Sequence, residues 1–437
     1  MTWSRYNLLF ESKRNDWLLY NSISNNLMQL NGKAANALMY IRDGSNTVSN
    51  ENHDLYFNLR FGGFLVEDGK DDASFQILKM KRLAQNYADK VLDLTIALTK
   101  ECNFECHYCY NCSRAPSKIS EDTQLEIIEF VKKSKITDAV TITWIGGEPL
   151  LEFETMKLMT KRITEVGLKY DSFLITNGYC LTPYVIKDLG LLKISAIQIT
   201  IDGVKEIHDS RRTLIGGGNT YDVIISNIDK LMISNWTGTL KIRVNIDKQT
   251  IHAYAEIYKL LCDKYPGEIG KRLTIFPGFI HDSTSPENEM FLNPEEQGRF
   301  VIDTYYTHNI VSMPVFPLKP VLNSCLMSKK NAFMVGPDGE LYKCWTDLGK
   351  SDEVVGSING SVKWNMALLA ESMVGASYLD DVKCINCLFF PLCNGGCPKV
   401  RMLNKREDVK RNVCSYFKIH ACDLLELHYE QKKKLVK

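Results

Sequence analysis

The residues of this chain best suited to chemistry are its thiols. Cys102, Cys106 and Cys109 stand in the run Cys-Asn-Phe-Glu-Cys-His-Tyr-Cys, spaced by three and then two residues. Three thiolates on one short loop can hold three irons of a cubane [4Fe–4S] cluster and leave the fourth iron open to a chelating amine and carboxylate. A structural zinc knuckle is the other use of such a triplet. Cys112 follows closely, either as a fourth ligand that would close the site or as a bystander thiol. A second series begins at Cys325, continues after thirteen residues with Gly339-Glu-Leu-Tyr-Lys-Cys344, and resumes as Cys384-x2-Cys387-x5-Cys393-x3-Cys397 before ending at Cys414. The full count is 14 cysteines in 437 residues, in a chain that is neither small nor evidently secreted. Their clustering reads as metal or redox ligands, not as a disulfide framework. Cys262 and Cys422 fall outside both series and read as buried structural thiols.

Other reactive side chains fall at regular intervals after the first triplet. Trp144-Ile-Gly146-Gly147-Glu148-Pro149 pairs two glycines, which let backbone approach a ligand, with a carboxylate that could meet an ammonium. Asn177-Gly178 is a turn or a site. Thr200-Ile-Asp202-Gly203 precedes His208-Asp-Ser-Arg-Arg212, in which Asp202 and His208 could cap and buttress loops and Arg212 could be a surface charge or an anion ligand. Asp347, close after Cys344, is a candidate proton acceptor or a loop cap.

These residues need strand ends to hold them. Apolar runs at Leu92–Leu98, Ala139–Ile145, Ser172–Thr176, Ala196–Ile201, Leu240–Asn245 and Leu273–Phe276 predict strands. The segments between them, including Glu121–Lys133 with Ser120 as its cap and Thr155–Glu165, have helical spacing. Strand–helix alternation implies a parallel sheet with crossovers, and six units suit an incomplete TIM-type barrel, with functional loops at the C-terminal strand ends. Ahead of it, Tyr6–Phe10 and Trp17–Tyr20 read as strands, Asn31-Gly32 as a turn and Ala34–Ile41 as a short helix. Beyond about 310 the periodicity breaks into short runs and closely spaced cysteines, whose rigidity would come from metal. From about 416 a helix with a basic, exposed tail is expected. The predicted architecture is α/β: a small α+β module over 1–88, a partial (β/α)6 barrel over 89–310 and a cysteine-rich domain over 311–437.

Lys+Arg and Asp+Glu nearly cancel to a net charge of +1, so nothing global points to nucleic acid or an anionic membrane surface. No apolar run reaches the roughly 18 residues that span a bilayer, and the start lacks the apolar block of a signal peptide, so a cytoplasmic location is expected.

The CxxxCxxC loop with Tyr108 before its third cysteine, the Gly-Gly-Glu-Pro run, Asn177, Thr200 and Arg212, met in that order after successive strands, resemble the radical SAM enzymes. The seven later cysteines resemble the SPASM domain at every position. The resemblance implies a SAM-binding [4Fe–4S] cluster on Cys102, Cys106 and Cys109, with Tyr108, Gly146, Gly147, Glu148, Asn177, Thr200 and Arg212 around S-adenosylmethionine. It implies one auxiliary cluster on Cys384, Cys387, Cys393 and Cys414, and an inner one on Cys325, Cys344 and Cys397. That inner cluster is one thiolate short, because Lys319 stands where some relatives have a further cysteine. The activity implied is generation of a 5′-deoxyadenosyl radical, with electrons from a flavodoxin or ferredoxin. Residues 1–88 are similar to the winged-helix leader-recognition elements of ribosomal-peptide (RiPP) maturases. The expected substrate is therefore a precursor peptide with its leader, and the expected change is modification of one residue by a crosslink. The alternatives are an anaerobic sulfatase-maturing enzyme that forms formylglycine, against which the displaced Asp347 counts, and a noncatalytic iron–sulfur electron carrier.

Overall fold

The computed structural model describes residues 1–43, 53–109, 116–280, 289–311, 320–322 and 325–436; Cys112 and Lys319 lie outside them. By compactness the chain divides into two units. One joins Met1–Asn86, Asn293–Cys325 and Ala376–Lys437; the other joins Tyr87–Leu292 and Leu326–Gly375. The compact units thus cut across the sequence segments, placing the N-terminal module and the last stretch of cysteines together.

In the first unit, β1 (Thr2–Trp3) pairs with β5 (Leu65–Val66), while β2 (Asn7–Glu11), β3 (Trp17–Asn21) and β4 (Asn26–Leu30) form an antiparallel meander. Alternation along β3 sends successive side chains to opposite faces. Leu19 packs with Leu30, Leu38, Leu59 and Phe64 on one face. On the other, Tyr20 with Leu8, Phe10 and Leu27 packs against Leu424, Leu425 and Leu427 of the C-terminal helix Ala421–Val436. The meander is therefore buried on both faces. The Asn31-Gly32 turn signal is instead a helix start. Asn31 caps α1 (Gly32–Arg42), its side chain accepting from the Ala34 amide, because an Asn oxygen satisfies an orphan N–H of a first turn as readily as it shapes a turn. The expected Ala34–Ile41 helix lies inside α1. Helix α2 (His53–Phe61) follows.

Helix α3 (Lys70–Tyr87) had no sequence forecast: its buried stripe is only Phe75, Leu78 and Arg82 on an otherwise polar helix. Arg82 is 2% exposed and donates to the carbonyls of Val321 (3.0 Å), Phe390 (2.8 Å) and Pro391 (3.0 Å). Phe75 lies 4.8 Å from the Phe390 ring. Ser22 also donates to the Leu388 carbonyl. The N-terminal module thereby holds the loop between Cys387 and Cys393.

The second unit is built on parallel strands β6 (Val91–Ala97), β7 (Ala139–Ile145), β8 (Lys169–Thr176), β9 (Ile194–Ile201), β10 (Thr239–Ile246) and β11 (Leu273–Phe279), each beside the next. All six expected strands are present, with ends shifted by up to three residues. Helix α4 (Glu121–Lys133) has its forecast bounds and its forecast cap, Ser120 accepting from the Thr123 amide. Helix α5 (Phe153–Thr164) starts two residues earlier than its spacing suggested.

One sheet face is fully buried through Leu174, Ile197, Ile199, Ile242 and Val244, and α6 (Tyr221–Met232) buries Ile224, Ile228 and Leu231 at helical intervals. Each such side chain contributes about 1.5–3 kcal/mol by burial. The opposite face carries half-buried Phe173, Gln198, Thr200, Lys241 and Arg243. The sheet continues past β6 into β12 (Ala332–Val335), parallel to it, then antiparallel β13 (Glu340–Tyr342) and β14 (Gly356–Ser357), giving nine strands in a mostly parallel sheet. The break in periodicity after 310 hid this extension, because strands of two to four residues are too short to show a period. Among the described residues no helix is long and apolar enough to cross a membrane.

Candidate active site

Parallel strands in sequence order bring their C-terminal ends to one edge. The cysteine loop after β6, Gly146-Gly147-Glu148 after β7, Asn177 after β8, Asp202 after β9 and Asn245 near the end of β10 therefore meet. The cysteine loop is gripped from three sides. Gly147 N donates to the Thr99 carbonyl and Glu148 N to that of Glu101, both at 2.9 Å. A Cβ on Gly146 would lie 2.3 Å from the Thr99 oxygen, and one on Gly147 would lie 2.0 Å from the Glu101 oxygen. In this structure the two glycines serve first to let the strand end lie against the loop's own backbone. From the second side, Asn177 Nδ2 donates to Asn103 Oδ1 at 2.7 Å. From the third, Glu105 N reaches the Thr213 carbonyl (2.9 Å) and Ile215 N reaches that of Asn103 (3.0 Å). Sequence reasoning missed Asn103 and Thr213–Ile215; the only signal near them was the glycine run at 216–218.

Glu148 is fully buried. Its carboxylate accepts from the Leu150 amide (3.0 Å), the Thr176 hydroxyl (2.7 Å) and the Asn177 amide (2.8 Å), and burial pushes its pKa up. All three donors are uncharged. Tyr108 has its hydroxyl engaged: it donates to Asp202 (2.7 Å) and accepts from Arg212 (2.8 Å) and Asn245 (3.1 Å). It thus ties the cysteine loop to the ends of β9 and β10. Arg212 is only 8% exposed, so it is not a surface charge, and its buried Nε–H has no hydrogen-bond partner among the described residues. Arg211 bridges two buried carboxylates, Asp202 at 2.9 Å and Asp247 at 2.7 Å. Thr200 is half-buried on β9, in register with Arg243. Cys106 is buried and Cys102 and Cys109 half-buried; burial pushes the Cys102 thiol up to about 12 and also raises Cys106, so both are protonated at neutral pH and would release their protons on taking a metal.

His208 buttresses this edge. Burial, with the Arg212 charge nearby, pushes its pKa down to about 3, so the ring is neutral. Its Nδ1 accepts from the Asp202 amide (3.4 Å) and its Nε2–H donates to Thr220 Oγ1 (3.1 Å), whose own proton goes to the Arg212 carbonyl (2.7 Å). A histidine depressed on folding stabilises fully above its unfolded pKa and loses that contribution as pH falls toward the folded value. Between pH 7.5 and pH 5 the loss is about 2 kcal/mol, from about 1.36 kcal/mol per unit below an unfolded value near 6.5. His428, depressed to about 4 by burial, adds the same sign. His208→Gln keeps a donor and an acceptor without the titration, so its melting temperature should fall less between pH 7.5 and 5 than that of the unsubstituted protein. Equal slopes would contradict this account.

The later cysteines separate by unit. Cys384, Cys387, Cys393 and Cys414 line one cavity. Gly395 N donates to Cys393 Sγ (3.3 Å) and Arg401 Nη2 to Cys384 Sγ (3.0 Å). Among the described residues no three acidic, His or Cys side chains converge as ligands of a single metal ion. A cubane asks for one thiolate per iron at separate corners, and four thiols line this one cavity. Gly396 permits the enclosure: a Cβ there would lie 1.9 Å from the Val413 oxygen, next to Cys414. Cys325 and Cys397 are exposed and belong to the same unit as this cavity, while Cys344 belongs to the other. Asp347 is 3% exposed, its amide closing a turn onto the Cys344 carbonyl and Lys350 Nζ lying 3.7 Å from its carboxylate. The two thiols expected to be buried are not: Cys262 is half-buried and Cys422 is exposed at the start of the C-terminal helix, where the apolar stripe runs through the leucines instead.

A mostly parallel α/β sheet with a cysteine loop at its C-terminal edge defines the class, and comparison with known proteins gives the family. Residues 96–261 match the radical SAM superfamily. The chain is 24% identical over 73% of its length to a cysteine-type anaerobic sulfatase-maturating enzyme of Clostridium novyi, covering 91% of that protein. It is 21% identical over 97% of its length to the radical SAM cyclopropyl synthase TigE of Paramaledivibacter caminithermalis, covering 94% of it. Among solved structures it is similar to Streptococcus suis SuiB bound to precursor peptide SuiA, with a TM-score of 0.52, 14% identity, and coverage of 91% of this chain and 95% of that one. The chain carries a radical SAM domain over residues 96–261 and is an enzyme; radical SAM enzymes use SAM and a [4Fe–4S] cluster.

The site fits that pair. A buried carboxylate lacking a charged donor and a buried guanidinium N–H lacking an acceptor are what the ammonium and carboxylate of a methionyl group would complete. Gly147→Ala should displace the loop through its contact with the Glu101 carbonyl. The expected result is loss of most of the iron bound by that loop, with the rest of the protein's iron kept; an unchanged iron content would refute the packing argument.

Proposed function

We propose that this enzyme matures a ribosomally made precursor peptide, installing a crosslink or a related oxidation at one residue. In this reading 89–310 is a partial (β/α)6 barrel, 311–437 a SPASM domain and 1–88 a leader-recognition module. The observation that carries the reading is the N-terminal module. The match to the cyclopropyl synthase runs over 97% of the chain, and that to the sulfatase-maturating enzyme over 73%. The module is a three-stranded meander with a helix, and among the described residues neither β2 nor β4 has a further strand partner. Such an edge can take an extended peptide as an added strand, raising the effective concentration of the residue to be modified. SuiB bound to its precursor peptide SuiA is similar in fold.

Cys102, Cys106 and Cys109 would hold the SAM-binding cluster. Glu148 would meet the ammonium and Arg212 the carboxylate of SAM, with Gly146, Gly147, Asn177 and Thr200 around them. Cys384, Cys387, Cys393 and Cys414 would hold one auxiliary cluster. Cys325, Cys344 and Cys397 would supply three ligands to the other, leaving its fourth position to substrate, water or another side chain. When bound, the cluster and SAM supply reductive cleavage of SAM and abstraction of a hydrogen atom from an unactivated C–H bond. The chain's part is to orient and to exclude. Tyr108, Asp202 and Arg211 fix the loop, and the half-buried sheet face with Phe173, Gln198 and Lys241 receives the substrate. The buried place of Asp347 beside Lys350 supports a loop role over proton transfer. A flavodoxin or ferredoxin would supply the electrons.

The test is co-expression with a short open reading frame, if one lies beside this gene, or otherwise with candidate precursor peptides, followed by mass spectrometry. The expected product has lost two hydrogens. Conversion of a sulfatase peptide to formylglycine would overturn the reading, and failure of the reduced protein to release 5′-deoxyadenosine from SAM would favour an electron carrier.

A further inference from the structure

We propose that Arg401 is a redox-tuning residue that holds the reduction potential of the cluster on Cys384, Cys387, Cys393 and Cys414 at a high value. This rests on the reading that those four thiols carry a cubane. Arg401 is anchored twice, Nε to the Gly395 carbonyl (2.6 Å) and Nη1 to Asp381 (2.8 Å), and turns Nη2 to Cys384 Sγ at 3.0 Å. Its side chain is 11% exposed. The guanidinium is therefore fixed by the fold, independently of any ligand, and largely shielded from solvent. Gly395, whose carbonyl holds it, also donates its amide to Cys393. Lys418 lies 3.6 Å from Cys414 Sγ but is exposed, so water screens its charge.

Reduction adds one electron and no proton to a cubane, leaving one more negative charge on the cluster. A buried, permanently protonated group donating to a ligating sulfur favours that state, and such hydrogen bonds are among the levers that set cluster potentials. Asp381, one step further out, offsets part of the effect. The consequence is a cluster poised to accept an electron, not to supply one.

The test compares reconstituted protein with its Arg401→Gln and Arg401→Lys variants by iron count and by potentiometric titration followed by electron paramagnetic resonance. The Gln variant should keep its iron and become harder to reduce by at least tenfold in equilibrium constant, which for a one-electron couple is about 59 mV. The Lys variant should move less than half as far. Asp381→Asn combined with Arg401→Gln should stay below the unsubstituted protein. Unchanged potentials with the iron retained would overturn the tuning role and leave the cluster assignment intact. Loss of about four irons in both single variants would make Arg401 a structural support and overturn it too. A cavity that binds no iron in the unsubstituted protein would remove the cluster reading itself.

Discussion

On the proposed assignment of three clusters, replacing Cys102, Cys106 and Cys109 together by Ala should remove about four of about twelve irons and bring SAM cleavage down to that of a protein-free control. The effect is large because the loop brings all three of its ligands at once and stands at the strand ends where Glu148 and Arg212 would meet SAM. It should also be selective. The loop is held by backbone contacts that do not involve sulfur: Gly147 and Glu148 to the Thr99 and Glu101 carbonyls, and Glu105 and Ile215 to Thr213 and Asn103. The alanine variant should therefore fold, keep the iron bound through Cys384, Cys387, Cys393 and Cys414, and give an unchanged circular dichroism spectrum. Iron and sulfide analysis with chromatography of 5′-deoxyadenosine measures both parts. Persisting cleavage would refute the assignment of the loop.

Arg211→Met should cost about 3–5 kcal/mol, the loss that follows when one partner of a buried ionic group is removed. Arg211 is 6% exposed and is shared between Asp202, fully buried, and Asp247, 2% exposed. Without it two carboxylates remain in the interior, with Arg212 still 3.8 Å from Asp202. For a unit of this size the melting temperature should drop by about 10 °C, at about 2–4 °C per kcal/mol. The damage extends to the site, because Tyr108 donates to Asp202 and carries the cysteine loop with it. Adding Asp247→Asn should restore part of the lost stability by removing one stranded charge. If the double variant melts no higher than Arg211→Met, the ion triad is not the source of the loss.

The sequence by itself determined what repeats or what has fixed spacing. Six strands could be read because strand-like runs of four to seven residues, separated by helical stretches, imply a parallel arrangement. Ser120 could be read as a cap because its hydroxyl has a local partner. The cysteine spacings spoke for metal because ligands to one cluster on one loop are set by local geometry. Tertiary structure alone decided the rest, since it depends on partners far apart in the chain. Arg82 reads as an ordinary helix arginine until the carbonyls of Val321, Phe390 and Pro391 surround it. Gly146 and Gly147 looked like ligand contacts, yet the atoms nearest their missing Cβ are the Thr99 and Glu101 oxygens, more than forty positions earlier. Asn31 turned from a turn residue into a helix cap because the following side chains found a sheet to cover. Arg401 gave no sign of its place beside Cys384, because a charge acquires a task only when the fold removes the water around it.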